Sequence, residues 1–238
     1  MLTTVNTENN KAKEFNSERH SLYIKDVRER KVLVDGDKKL YDIIPSHKEY
    51  RFFVGVFFEL KRGLHDVFNQ LHNASKYDRL ELFINSHGGL IFEGKQFYNI
   101  IQRKFKNRTT AYLDNLGYSM GALLFCMADK RVAYEYSDFM FHNYWGGVHG
   151  KGGEIKAKVE HSSRVLEKFF HDIIVKQGFL TEKEFEQMLV GQDYWMDTKE
   201  LCKRGIATHV IIDEEEITAK EYLKILKEQK KKKKSKKK

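Results

Sequence analysis

At 238 residues, with 41% hydrophobic and 13% aromatic side chains, the chain is long enough to bury a substantial core in one domain, and its single proline, Pro45, argues against Pro-rich linkers or a proline-punctuated all-β fold. No stretch approaches the roughly 18 uncharged apolar residues that a membrane span requires, and the opening MLTTVNTENNKAKEF lacks the apolar core of a secretory signal, so a cytoplasmic location and no membrane partner are expected. Of the formal charge of +9, residues 227–238 supply +8 through nine lysines and one glutamate, which leaves a nearly neutral body.

In chain order, the first 20 residues are polar and unpatterned. SLYIKD and KVLV then flank turn chemistry at Asp35-Gly36-Asp37, so residues 1–49 read as an arm or small hairpin of unknown role. From Tyr50 the pattern becomes regular. RFFVGVFF is strand-like, LKRGLHDVFNQLHNA helical and RLELFIN strand-like; helical FEGKQFYNIIQRKF, strand TTAYLDN, helical SMGALLFCMA and the β-like KRVAYE and DFMFHN follow. Such alternation predicts parallel strands with right-handed crossovers, hence an α/β body over residues 50–213. Cys126 and Cys202 stand singly in apolar helical patterns and read as reduced core thiols, with no disulfide framework or zinc site.

After the glycine-rich GGVHGKGG, a long helix is expected from about Glu154 to Lys176, with an apolar stripe of Ile155, Val159, Leu166, Phe169, Phe170, Ile173 and Ile174 that packs either against another subunit or in the chain's own core. Gly178 carries helix-stop chemistry, and Thr181 with Glu184 forms a capping box for the next helix. The GGVHGKGG stretch lacks the Ser or Thr and the spacing of a phosphate-binding loop. Residues 214–238 read as a C-terminal helix followed by a disordered lysine-rich tail. That tail is either a solvated extension or a site of attraction for a polyanion or acidic protein, and it has no aromatic residue to stack on bases.

Three segments bear on chemistry. GYSMGA at 117–122 follows a strand and opens a helix, and its glycines leave room around Ser119, where a nucleophile could stand exposed beside helix N-terminal N–H groups; a plain N-cap serine fits the same pattern. NSHGG at 85–89 is a second strand-to-helix turn, whose paired glycines allow close backbone approach. His142 ends the apolar DFMFHN, where an imidazole could face a cleft. Each signal is weak alone.

Together, NSHGG, GYSMGA, FMFHN with its glycine-rich continuation, the long helix and GQDYWMDTKELCKRGIATHVI resemble the ClpP family, the proteolytic subunits of Clp proteases, in order, type and spacing from about Arg51 to Ile212. The resemblance implies a ClpP/crotonase-like fold of repeated strand-strand-helix units with a long protruding oligomerisation helix. It implies a serine endopeptidase with Ser119 as nucleophile, His142 as general base and Asp193 as the orienting acid. The oxyanion hole would use the N–H of Met120 and one from the Gly88–Gly89 turn, and Gly146 and Gly147 would lie along the bound substrate strand. No cofactor or metal is called for. Polypeptide substrates, a homo-oligomeric ring, stacked as two heptamers in the family, and an AAA+ ATPase partner are implied as well.

The chain departs from the family pattern at several positions. His87 stands where the family has proline between Ser86 and Gly88, and Tyr144 replaces a proline two residues after the histidine. Gly191 and Gln192 replace an acidic residue and an arginine that help join two rings, which leaves a single ring open. The family's N-terminal gating segment has no match in residues 1–49. That arm and the lysine tail also fit a processing protease, such as one that matures capsid or scaffold proteins. The joint presence of Ser119, His142 and Asp193 argues against crotonase-type acyl-CoA chemistry, and a non-catalytic ring subunit is the remaining alternative. Phe169, Phe170, Ile173 and Ile174 are expected at the ring-to-ring contact.

Overall fold

The structure, a computed structural model, describes residues 13–17, 20–27, 31–35, 38–42, 47–55 and 64–235. The first strands are β1 (Lys13–Ser17), β2 (His20–Val27), β3 (Lys31–Asp35) and β4 (Lys38–Asp42). β3 and β4 pair antiparallel with Asp35 opposite Lys38, while residues 36 and 37 of the expected turn lie outside the described residues.

The body follows with β5 (His47–Val54), α1 (His65–His72), β6 (Arg79–Ser86), and α2 (Ile91–Ile100), which a π-helical turn at Ile101–Phe105 prolongs. Next come β7 (Thr109–Tyr118), α3 (Met120–Cys126), β8 (Lys130–Tyr134) and β9 (Asp138–Phe141). The chain continues through α4 (Gly152–Ile174), α5 (Glu182–Leu189), β10 (Tyr194–Asp197) and α6 (Thr198–Lys203). It ends with β11 (His209–Ile212), β12 (Glu215–Thr218) and α7 (Ala219–Ser235).

The main sheet runs β1-β2-β5-β6-β7-β8-β11-β12, parallel from β5 to β11 and antiparallel at its edges. The parallel centre follows from strands that alternate with helices, because each crossover buries an apolar helix face on the sheet. Tyr50, Phe52 and Val54 of β5 and Leu80, Leu82 and Ile84 of β6 point to the same buried side, against Val67, Phe68 and Leu71 of α1 and Phe97 of α2. The mixed α/β architecture expected from the sequence is what the structure has. No helix among the described residues is long and apolar enough to cross a membrane.

Three expectations need correction. The boundary at residue 50 is not a structural one, since β2 pairs along its whole length with β5 and buries Leu22 in the main core. Nor is the lysine run wholly irregular: Thr218 and Glu221 cap each other's backbone N–H groups, Tyr222 is buried, and from that anchor α7 continues to Ser235. Lysine is a good helix former and the segment lacks glycine and proline, so a nucleated helix propagates through it.

The third correction concerns α4. Its C-terminal apolar residues do not form an outer face, because Phe170 is 4% exposed and Ile173 and Ile174 are 1% exposed within the chain's own core, with Phe169 packed edge-on to Tyr98. The N-terminal half is the part that projects, and Val159 there is 45% exposed. A 23-residue helix whose buried residues, Leu166, Phe170, Ile173 and Ile174, all lie in its C-terminal half is half anchor and half lever.

Candidate active site

The site is created by a fork in the sheet. Thr110–Leu113 of β7 pair with β8, but Leu116–Tyr118 pair instead with β9. Between these halves the register against β6 slips, since Ile84 lies opposite Leu113 and Ser86 opposite Gly117. The irregularity at Asp114–Leu116 swings the end of β7 out of line, as bulges do, and lets β9 enter beside it. Tyr118 is then opposite Met140, and Ser119 N–H donates to the Met140 carbonyl at 3.0 Å. One residue beyond the last β7 pair is thus Ser119, and two beyond its β9 counterpart is His142.

Ser119 sits at φ 54 and ψ −121, a left-handed conformation that costs a non-glycine residue roughly 1–3 kcal/mol. It occupies the N-cap position of α3, yet its side chain makes no capping hydrogen bond. The plain N-cap reading therefore lacks the hydrogen bond that would define it. α3 is buried at every position from Met120 to Cys126, so only its N-terminal end is open to the site.

Two tight glycine contacts hold this turn. A Cβ on Gly88, whose φ is +106, would lie 2.7 Å from Ser119 Cβ and 3.1 Å from Met120 N. One on Gly121 would lie 2.9 Å from the Ser86 carbonyl oxygen. The NSHGG turn and the start of α3 therefore lie in direct backbone contact, which only glycine at these positions permits. Gly88 N–H donates to Ser86 Oγ at 3.1 Å, and Gly88 is not among the residues that line the cavity. Gly89, which lines the cavity, is the remaining candidate from this turn. Met120 N–H, at the first helical position, has no acceptor within the helix.

His142 is delivered by β9, which pairs antiparallel with β10, Phe141 opposite Tyr194. Continued by one residue, that register sets His142 against Asp193. The ring is half-buried, and burial lowers its pKa from the usual histidine value while the nearby Asp193 charge raises it, burial being the larger effect. Among the described residues neither Ser119 Oγ nor the His142 ring has a hydrogen-bond partner, and Asp193 acts on the ring through charge alone. A cavity of about 210 Å³ brings Ser119, Met120, Gly89 and His142 together, with Ile91, Leu123, Phe141, Phe170 and Ile174 as apolar walls.

Gly146 and Gly147 are exposed with open space around them, and the cavity lining stops at Trp145, short of both. Tyr144, Trp145 and His87, the last packed edge-on to Tyr118, also line the cavity and are not among the site residues expected from the sequence. The signal for His87 and Tyr144 was their standing in place of proline. Gly191 and Gln192 also gain a local meaning. Gly191, at φ +107, donates to Met188 O and Gln192 to Gln187 O, the paired bonds that end α5 and release the chain toward Asp193.

A sequence model of the Clp protease family matches residues 59–214. An ATP-dependent Clp protease proteolytic subunit from Borreliella afzelii is 30% identical over 135 residues, covering 56% of this chain and 67% of the relative. ATP-dependent Clp protease proteolytic subunit 2 of Pseudomonas aeruginosa is 27% identical over 157 residues, 64% of this chain and 77% of the relative. Subunit 1 of Borreliella burgdorferi is 30% identical over 150 residues, 62% and 75% respectively. The glycine turn, the Ser119 elbow, His142 and Asp193 all lie inside the matched span.

Proposed function

This chain belongs to the Clp protease family and is a serine peptidase of the Clp type, and from that premise we propose that it cleaves polypeptides through Ser119, His142 and Asp193, within a ring oligomer supplied by an AAA+ ATPase. The observation that carries the assignment is Ser119 itself. Its hydroxyl is held in a strained backbone conformation at a helix start, is not spent on capping, and shares one cavity with His142. Strain of this kind persists only where surrounding packing enforces it, here the contacts of Gly88 and Gly121.

In the reaction, His142 takes the Ser119 proton as the oxygen attacks the peptide carbonyl, and the N–H groups of Met120 and Gly89 receive the oxyanion. His142 returns the proton to the leaving amine, and water then hydrolyses the acyl-enzyme by the same route. Asp193 holds the imidazole tautomer and stabilises the imidazolium. Ring assembly supplies the last adjustment, drawing Ser119, His142 and Asp193 into mutual hydrogen bonds; hydrogen bonds of this kind are often long in resting enzymes.

A fluorophosphonate probe should label Ser119, and Ser119→Ala should abolish both labelling and hydrolysis of a fluorogenic peptide, a loss on the order of 10⁶ in turnover, with folding unchanged. Retained hydrolysis would remove the triad assignment. The strands before residue 59 and the lysines of α7 lie outside the matched span and favour a second reading, processing at defined sites. Mass spectrometry of the products separates the two, since many short peptides mean degradation and a few fixed cuts mean processing.

A further inference from the structure

We propose that Asn143 is a positioning residue, whose side-chain amide ties the segment carrying His142 to the end of the helix that delivers Asp193 and thereby couples the two. The inference rests on the triad assignment above. Asn143 Nδ2 donates to the Leu189 carbonyl at 2.8 Å, while Asn143 Oδ1 accepts from Tyr144 N–H at 2.8 Å. Both ends of one amide are thus used, and the second bond fixes which way the first one points.

Leu189 is the last residue of α5, where helical carbonyls lack partners within the helix. The Met188 and Gln187 carbonyls are satisfied by Gly191 and Gln192, and Leu189 is served by Asn143. Asp193 lies only four residues beyond. The amide therefore closes a loop of structure, from His142 through Asn143 across to Leu189 and on to Asp193, beside the four-residue β9–β10 ladder that is the other link between them. The Tyr144 position gives this arrangement its donor, because a proline there has no N–H to orient Asn143. Tyr144 also joins its hydroxyl to Ser163 Oγ of α4 at 3.0 Å and packs near Phe170, so the same segment is held from α4 as well.

Among the described residues, His87 from the turn after β6 and the Ser119 and Tyr144 hydroxyls share the cavity with the His142 ring, and Asp193 is the charge that acts on it. The test is a double-mutant cycle read by NMR titration of His142 in imidazole-labelled protein, which needs no turnover. Asp193→Asn should lower the His142 midpoint in the wild-type background, and the drop should shrink in Asn143→Leu, where the side chain keeps its size but neither donates nor accepts. In parallel, Asn143→Leu should lower kcat/KM about 10-fold with KM unchanged, and the further loss on Asp193→Asn should shrink by about the same factor.

Equal drops in both backgrounds would overturn the proposal whatever the melting temperatures, because a merely structural role leaves the His142–Asp193 coupling intact. Should Asn143→Leu not fold, Asn143→Ala is read in the same cycle. Persistent hydrolysis by Ser119→Ala would instead remove the triad assignment, while the titration cycle would still decide whether Asn143 couples the two groups.

Discussion

The two sides of the cavity are built by different means. The nucleophile side is backbone against backbone: the NSHGG turn, the end of β7 and the start of α3 touch through Gly88 and Gly121 at distances that exclude a Cβ. The base side is a four-residue antiparallel ladder, one side-chain amide and a charge. A backbone-packed corner has one arrangement, because interiors are dense and poorly compressible. A short ladder with side-chain ties can shift without breaking the core. Ser119 is accordingly held in a strained conformation by the chain's own packing, whereas the His142 ring has no hydrogen-bond partner among the described residues.

The largest effect that tests this contrast is on the base side. Asp193→Asn should leave the backbone, the oligomer and probe access to Ser119 in place but lower kcat by about 10⁴, the order expected when the orienting carboxylate of a triad becomes an amide. Steady-state kinetics on a fluorogenic peptide measures it. A loss under tenfold would mean that Asp193 does not orient the base, and the acid would have to be sought elsewhere around the ring.

Gly88→Ala probes the opposite side. Its methyl would meet Ser119 Cβ at 2.7 Å and would sit at a φ of +106, so the turn must move and carry the Gly89 donor with it. Turnover should fall about 10²–10³-fold, the usual cost of losing an oxyanion donor, with a stability loss of about 1–3 kcal/mol visible in thermal melting. Loss of stability with turnover per folded molecule unchanged would show that the corner tolerates displacement after all.

How much of each side is legible in the sequence follows from the same difference. Glycines at fixed offsets around a serine leave a local trace, so NSHGG and GYSMGA point to a tight corner from residue types and spacing alone. The fork of β7 leaves none, since Asp114-Asn115-Leu116 looks like ordinary strand end, and which partner a strand takes is a long-range property. Asn143 is equally silent, because its partners are 46 residues away and one residue away. In α4 the apolar stripe is legible, but a stripe does not say whether the chain's own core or another subunit covers it. His87 and Tyr144 are visible only as departures from proline.

The α4 correction yields a prediction of intermediate size. Phe170→Glu would bury an unpaired charge beside the cavity and should destabilise the fold by about 3 kcal/mol or more, seen as a lowered denaturation midpoint. Val159→Glu, on the projecting half of the same helix, should leave the melting of the single chain within about 0.5 kcal/mol. If that half meets another subunit in the proposed ring, Val159→Glu should instead shift the sedimentation profile toward smaller species. Unchanged assembly in Val159→Glu would move the contact elsewhere on the chain.

The smallest effect is one of pH, and it reads the base side directly. Burial of the His142 ring disfavours its charged form and pulls its pKa below the usual value of 6.5, while the Asp193 charge offsets only part of that pull. A base must be neutral to accept the Ser119 proton, so a depressed pKa keeps it competent at lower pH than a solvated histidine would allow. The acid limb of kcat/KM should therefore be centred below about 6.5. Asp193→Asn removes the part that raises the pKa, so in the residual activity of that variant the limb should move lower still, opposite to the shift expected if burial were relieved. A wild-type limb centred above about 6.5 would mean that in the working enzyme the hydrogen bond proposed to form between His142 and Asp193 on assembly outweighs burial. The base side would then be the one that moves, and the corner around Ser119 the fixed reference against which it closes.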